Sequence, residues 1–202
     1  MAVNVSNAFV GAPPIDGGVY FRAPLGTTLP TDATTALDPA FKDHGAVGED
    51  GFNVNPSRES STEKMFGGDD WIDLQTGYSE TATLTLLEED NENVVEAIFG
   101  GSNYLVTPAT ASDGKKTEIY HTSSRLPIES HVLKAVYGEK AKTYVIERGR
   151  ISSVEKSADV HSASTKYTVT ITCFKGTDAA TNYAHVVEYR DDGTPLDTVP
   201  AG

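Results

Sequence analysis

The feature that most constrains this chain is a two-residue alternation of side-chain character. Over residues 80–86, Thr81, Thr83 and Thr85 fall on one face and Ala82, Leu84 and Leu86 on the other, the pattern of a half-buried antiparallel strand. Residues 166–173 repeat it, with Tyr167, Val169, Ile171 and Cys173 opposed to Lys166, Thr168, Thr170 and Thr172. These are β-propensity residues in β order. Further strands are expected at 19–23, 44–54, 71–74, 117–121, 128–137, 143–150 and 183–189, with Gly, Asp, Asn and Pro in most of the gaps. Seven to nine strands imply a mainly β fold of two packed antiparallel sheets, sandwich or barrel-like.

One segment departs from that period. Residues 88–99 (EEDNENVVEAIF) set Val94 with Ile98 and Val95 with Phe99 at i, i+4 spacing, open with acids suited to a helix N-terminus, and stop at Gly100-Gly101. A single short helix is expected at about 90–99, its apolar stripe covering an open face or end of a sheet.

At 202 residues, with 38% hydrophobic residues and 18 Gly, the chain is read as one β domain, 18–190, flanked by an N-terminal arm, 1–17, and a C-terminal arm, 191–202. Two stretches carry neither strand nor helix signal and are expected to be long loops: 25–42, rich in Thr, Pro, Asp and Ala, and 55–70, polar except for Met65 and Phe66. The start lacks the positive and apolar segments of a signal peptide, and no stretch approaches about 18 consecutive apolar residues, so neither export by that route nor a membrane span is expected. The lone Cys173 makes no internal disulfide and points to a reducing folding compartment.

Sixteen Lys and Arg against 29 Asp and Glu give a net charge of −13, which argues against a basic grip on nucleic acid or anionic lipid. The five histidines are scattered without metal-ligand spacing and read as solvated or strand-face residues. Asp69-Asp70, 88–90 and Asp191-Asp192 lack the alternating ligands of a calcium loop and serve turns and a helix start. Ser79 lacks the second Gly of a nucleophile elbow, the Gly pairs lack phosphate-loop context, and Cys173 falls on the apolar face of its strand. Trp71, with Ile72 and Leu74, is expected to anchor the core, the alternative being a lone Trp beside a mobile loop that serves as an interface residue. No catalytic, metal or cofactor-binding set emerges, and no enzyme is expected. Isolated apolar side chains on arms and loops, here Val5, Phe9, Val10, Met65 and Phe66, bury little against their own domain and point towards assembly.

The N-terminal third also carries a resemblance. Gly18-Val19-Tyr20, then APLGTTLPTDA over residues 23–33, then Ala36-Leu37-Asp38, Phe41 and GAVGEDG over residues 45–51 resemble the N-terminal signature of major tail proteins, the tail tube proteins of long-tailed bacteriophages, particularly those of actinobacterial hosts. The order of later features agrees. The resemblance implies two packed antiparallel sheets flanked by one helix, subunits joined into hexameric rings, and rings stacked into a hollow tube in the virion tail after assembly in the host cytoplasm. It implies no cofactor and no membrane. Partners would be copies of the chain, other tail proteins at the tube ends, and DNA in transient, non-sticking passage. Ring-to-ring contacts would map by chain order onto 55–70, with Arg58, Glu63, Met65 and Phe66, and onto the arms, with Val5, Phe9 and Val10. Edge strands such as 166–173 would pair across subunits. The rival expectation is a β-sandwich binding module that decorates a capsid or binds a receptor or glycan.

Overall fold

The computed structural model of the chain describes residues 3–15 and 17–194, so the C-terminal arm from residue 195 on lies outside the described residues. The fold is mainly β: an eight-stranded antiparallel sheet, a two-stranded ribbon and one α-helix. The strands are β1 (Tyr20–Pro24), β2 (Lys42–Asp43), β3 (Val47–Lys64), β4 (Asp70–Leu86), β5 (Tyr104–Thr107), β6 (Lys116–Ile119), β7 (Glu129–Tyr137), β8 (Lys140–Lys156), β9 (Tyr167–Cys173) and β10 (Val187–Asp191), with helix α1 (Glu92–Phe99) between β4 and β5. The large sheet runs β2-β1-β7-β8-β9-β4-β3, and β10 pairs with the first half of β8.

The two alternating stretches become neighbours. Leu84 lies opposite Val169 and Ala82 opposite Ile171 on the buried face, while Thr83 faces Thr170 and Thr85 faces Thr168 on the other. The Thr85 and Thr168 hydroxyls meet at 3.0 Å, a cross-strand pairing that adds to the ladder. This pairing corrects one expectation. The strand at 166–173 is not an edge: β9 sits between β8 and β4, and β4 between β9 and β3. The edges of the path are β2 and β3.

Residues 42–47 curl the sheet towards a barrel. Lys42 and Asp43 pair with β1 at one end of the sheet path, while the Ala46 carbonyl accepts from the Leu87 amide (3.0 Å) and Val47 lies opposite Leu86 at the other. One short segment therefore holds both ends. Inside the curl, Tyr20, Leu133 and Ile146 from one wall join Leu84, Leu86, Val169 and Ile171 from the other, and α1 adds Val94, Ala97 and Ile98 to the same core. The helix starts at Glu92, later than the acids at 88–90, because Asn91 caps it: its side-chain oxygen accepts from the Asn93 amide (3.0 Å). Gly100, at φ 87°, ends it and donates its amide to the Glu96 carbonyl (2.9 Å).

Three expectations fail for physical reasons. The loop expected at 55–70 is a β-ribbon in which β3 and β4 stay paired out to Lys64 and Asp70, leaving only 65–69 as a turn. Both faces of this ribbon are exposed, so no alternation marks it in the sequence. Trp71, expected in the core, lies on the ribbon with 69% of its surface exposed. His44 and His131, read as solvated or strand-face residues, are fully buried. Boundaries move as well: β8 runs to Lys156, β10 starts only at Val187, and β5 had no strand signal.

Candidate assembly surface

The surface is built from the β3–β4 ribbon. Up to Pro56 and Glu80 the two strands belong to the body, where β4 still pairs with β9 and Glu80 is buried; from Ser57 and Ser79 outwards they run as a pair without burying a face, about eight residues or about 26 Å at ~3.3 Å per residue. An isolated two-stranded ribbon is marginal in water, and this one is fastened at both ends. At its base the Arg58 guanidinium lies over the Tyr78 ring (4.8 Å), Tyr78 packs edge-on against His185 (4.8 Å), and the Tyr78 hydroxyl donates to Glu80 (2.9 Å). At its tip the Met65 amide donates to the Asp69 carbonyl (2.9 Å), Lys64 pairs with Asp70 (2.7 Å), and Gly67 and Gly68 adopt φ of 110° and 96°, a conformation that favours glycine.

Between these anchors the ribbon presents apolar side chains to solvent. Glu63 faces Ile72 and Ser61 faces Leu74, so Ile72 and Leu74 form an apolar step on one face. Thr62 faces Asp73 and Ser60 faces Gln75 on the other. Register shifts at Glu59/Ser60 and Glu63/Lys64 bend the ribbon at two points. Met65, Phe66, Trp71, Ile72 and Leu74 are all exposed, Phe66 completely. Among the described residues the outer edge of β3 is also free of a strand partner, with Pro56 as an interruption.

The sequence-derived site residues divide accordingly. Met65 and Phe66 stand at the tip and Glu63 just below it, whereas Arg58 is at the base, engaged with Tyr78 and, at 3.4 Å, with Gln75. In the N-terminal arm, Ala12 and Val136 exchange two backbone hydrogen bonds of 2.9 Å, which lays the arm along β7 of its own domain. Phe9 follows it down, packing edge-on against Tyr137 (6.1 Å) beneath the Lys142 ammonium (4.0 Å). Val5 and Val10 are exposed. Sequence reasoning missed Ile72 and Leu74 as surface residues and gave Trp71 an interface role only as the alternative to the core. The available signal was apolar side chains at both odd and even positions of one strand, which a sheet buried on a single face does not accommodate.

A second ribbon, β5–β6, also exposes apolar side chains, Leu105 and Val106 on one strand and Ile119 on the other. The interior is chemically quiet. Burial, and after it the Glu80 carboxylate, push the Cys173 thiol up to about 12, so it stays protonated. Burial holds His44 at about 3 and His131 at about 4, so both are neutral at pH 7. Among the described residues no group of three or more His, Cys, Asp or Glu is placed to hold a metal ion, and no helix is long and apolar enough to cross a membrane. No protein-family model matches the sequence, and no curated protein matches it.

Proposed function

We propose that this chain is a structural subunit of a phage tail tube, which assembles with copies of itself into hexameric rings stacked as a hollow conduit in the virion tail. The β3–β4 ribbon carries this reading. A ribbon of about 26 Å that leaves Trp71, Ile72, Leu74, Met65 and Phe66 in water gains apolar burial only from another molecule, at about 25 cal/mol per Å² covered. Its free β3 edge offers backbone groups to the same neighbour. The resemblance of residues 18–51 to the tail tube signature supplies the identity of that neighbour, a second copy of the chain, with other tail proteins at the tube ends.

The charge supports a passive conduit. A hexamer multiplies the net charge of −13 sixfold, and acids facing the lumen repel phosphates so that DNA slides without sticking. Negative-stain electron microscopy of the purified protein over a concentration series tests the reading. Rings or hollow tubes are expected. Dispersed particles at every concentration, persisting on co-expression with the neighbouring virion proteins, overturn it in favour of a β-sandwich binding module.

A further inference from the structure

Arg125 and Arg150 line an open cavity of about 400 Å³ beside the C-terminal end of α1, together with Phe99, Thr122, Ser124 and Ser153. Arg150 comes from β8 and Arg125 from the 120–128 connection between β6 and β7, so the two cations reach the cavity from different walls. No carboxylate lines it, although the chain has 29 acids for 16 bases. Two guanidiniums in one cavity repel, and burial followed by the charge of Arg125 depresses the Arg150 pKa.

The donors there are unspent. Among the described residues neither arginine forms an ion pair; the Arg150 Nε–H is shut away from solvent with no hydrogen-bond partner, a costly state for a buried donor, so the groups left to meet an ion in the open cavity are the terminal guanidinium nitrogens. The Arg150 guanidinium is steadied over the Phe174 ring at 5.3 Å. The Thr122 hydroxyl accepts from the Asn103 side-chain amide (3.1 Å), which leaves its O–H free to donate. Ser152 is committed elsewhere, donating to the Thr170 carbonyl (3.2 Å) and accepting from Thr172 (2.8 Å).

We propose that this cavity binds a small tetrahedral oxyanion of the phosphate or sulfate class, held between the Arg125 and Arg150 guanidiniums and the hydroxyls beside them. An anion relieves the repulsion between the two cations and takes up charge-assisted hydrogen bonds. Donors from two walls suit an ion whose four oxygens accept in every direction, whereas a carboxylate accepts at two oxygens whose lone pairs lie in one plane. The site is independent of the assembly reading and exists in the isolated subunit.

The test uses dispersed wild-type protein, with inorganic phosphate, sulfate, acetate or chloride at matched ionic strength. Phosphate and sulfate are expected to raise the melting temperature saturably, as binding to the folded state requires, and the ³¹P line of inorganic phosphate is expected to broaden in the presence of the protein. Both effects should disappear in R125Q/R150Q. Arg125 is exposed, so R125Q alone provides a variant whose folding is not at issue, and it should weaken phosphate binding at least tenfold. General salting-out stabilises every variant equally. The proposal is overturned by an unbroadened ³¹P line with wild type, by a phosphate effect undiminished in R125Q, or by acetate acting as strongly as phosphate.

Discussion

Tyr20, Arg22, His44 and His131 form a buried polar cluster where β1 meets β2 and β7, and burial keeps both of its histidines neutral. The Tyr20 hydroxyl, kept protonated by burial, and His131 Nδ1 share a hydrogen bond of 2.9 Å, and His131 Nε2 is buried with no hydrogen-bond partner. His44 donates from Nδ1 to the Lys42 carbonyl (2.9 Å) and accepts at Nε2 from Arg22 Nε (3.4 Å). Arg22 is itself ion-paired with Glu129. A second proton on either imidazole places another cation in this buried cluster beside the Arg22 guanidinium. In the unfolded chain both histidines take up protons from about pH 6.5, whereas the folded chain resists until about 4 for His131 and about 3 for His44. Stability should therefore fall as pH drops from 6.5, by up to about 1.4 kcal/mol per pH unit for each histidine. Urea denaturation at pH 7.5, 6.5, 5.5 and 4.5 checks this, and a flat profile in that window refutes neutral burial of the pair. Gly149 belongs to the same neighbourhood: a Cβ there would stand 2.5 Å from His131 Cδ2 and 2.9 Å from Ile171 Cγ2. Gly149→Ala should destabilise by about 1–3 kcal/mol, measured by the same melts, and an unchanged midpoint would mean that His131 moves aside freely.

At the scale of elements, the sequence is legible where one face is wet and the other dry. The 80–86 and 167–173 stretches announce β4 and β9 because each second side chain enters the core, and α1 announces itself through Val94, Val95 and Ile98. The outer ribbon is silent because both its faces meet solvent, so pairing there rests on backbone hydrogen bonds that any polar residue can make. That silence has a consequence. Replacing residues 59–77 by Asn-Gly, so that Arg58 and Tyr78 flank a two-residue hairpin turn, removes exposed ribbon but almost no core. The shortened protein should unfold within about 0.5 kcal/mol of wild type, as surface changes do, yet remain dispersed at concentrations where the full chain assembles. Sedimentation velocity alongside chemical denaturation separates the two readouts; assembly retained by the shortened chain would exclude the ribbon as the contact.

For the whole molecule, a net charge of −13 bears on the proposed self-association. In the proposed assembly, copies of one acidic chain repel at long range and attract through the apolar ribbon at short range, so screening should favour association. Raising salt from about 20 to about 200 mM shortens the Debye length severalfold, and the concentration at which light scattering rises should fall; a rise in that threshold would point to contacts made by opposite charges instead. Local pattern by itself determined the β class, the interior faces of β4 and β9, and the single helix, because periodicity is written into every half-buried element. It did not determine which strand lies at an edge, that residues 42–47 hold both ends of the sheet, that two histidines enter the core, or that Arg125 and Arg150 share a cavity. Those depend on which distant segments become neighbours, and a side chain's surroundings are set by that packing and not by its position along the strand.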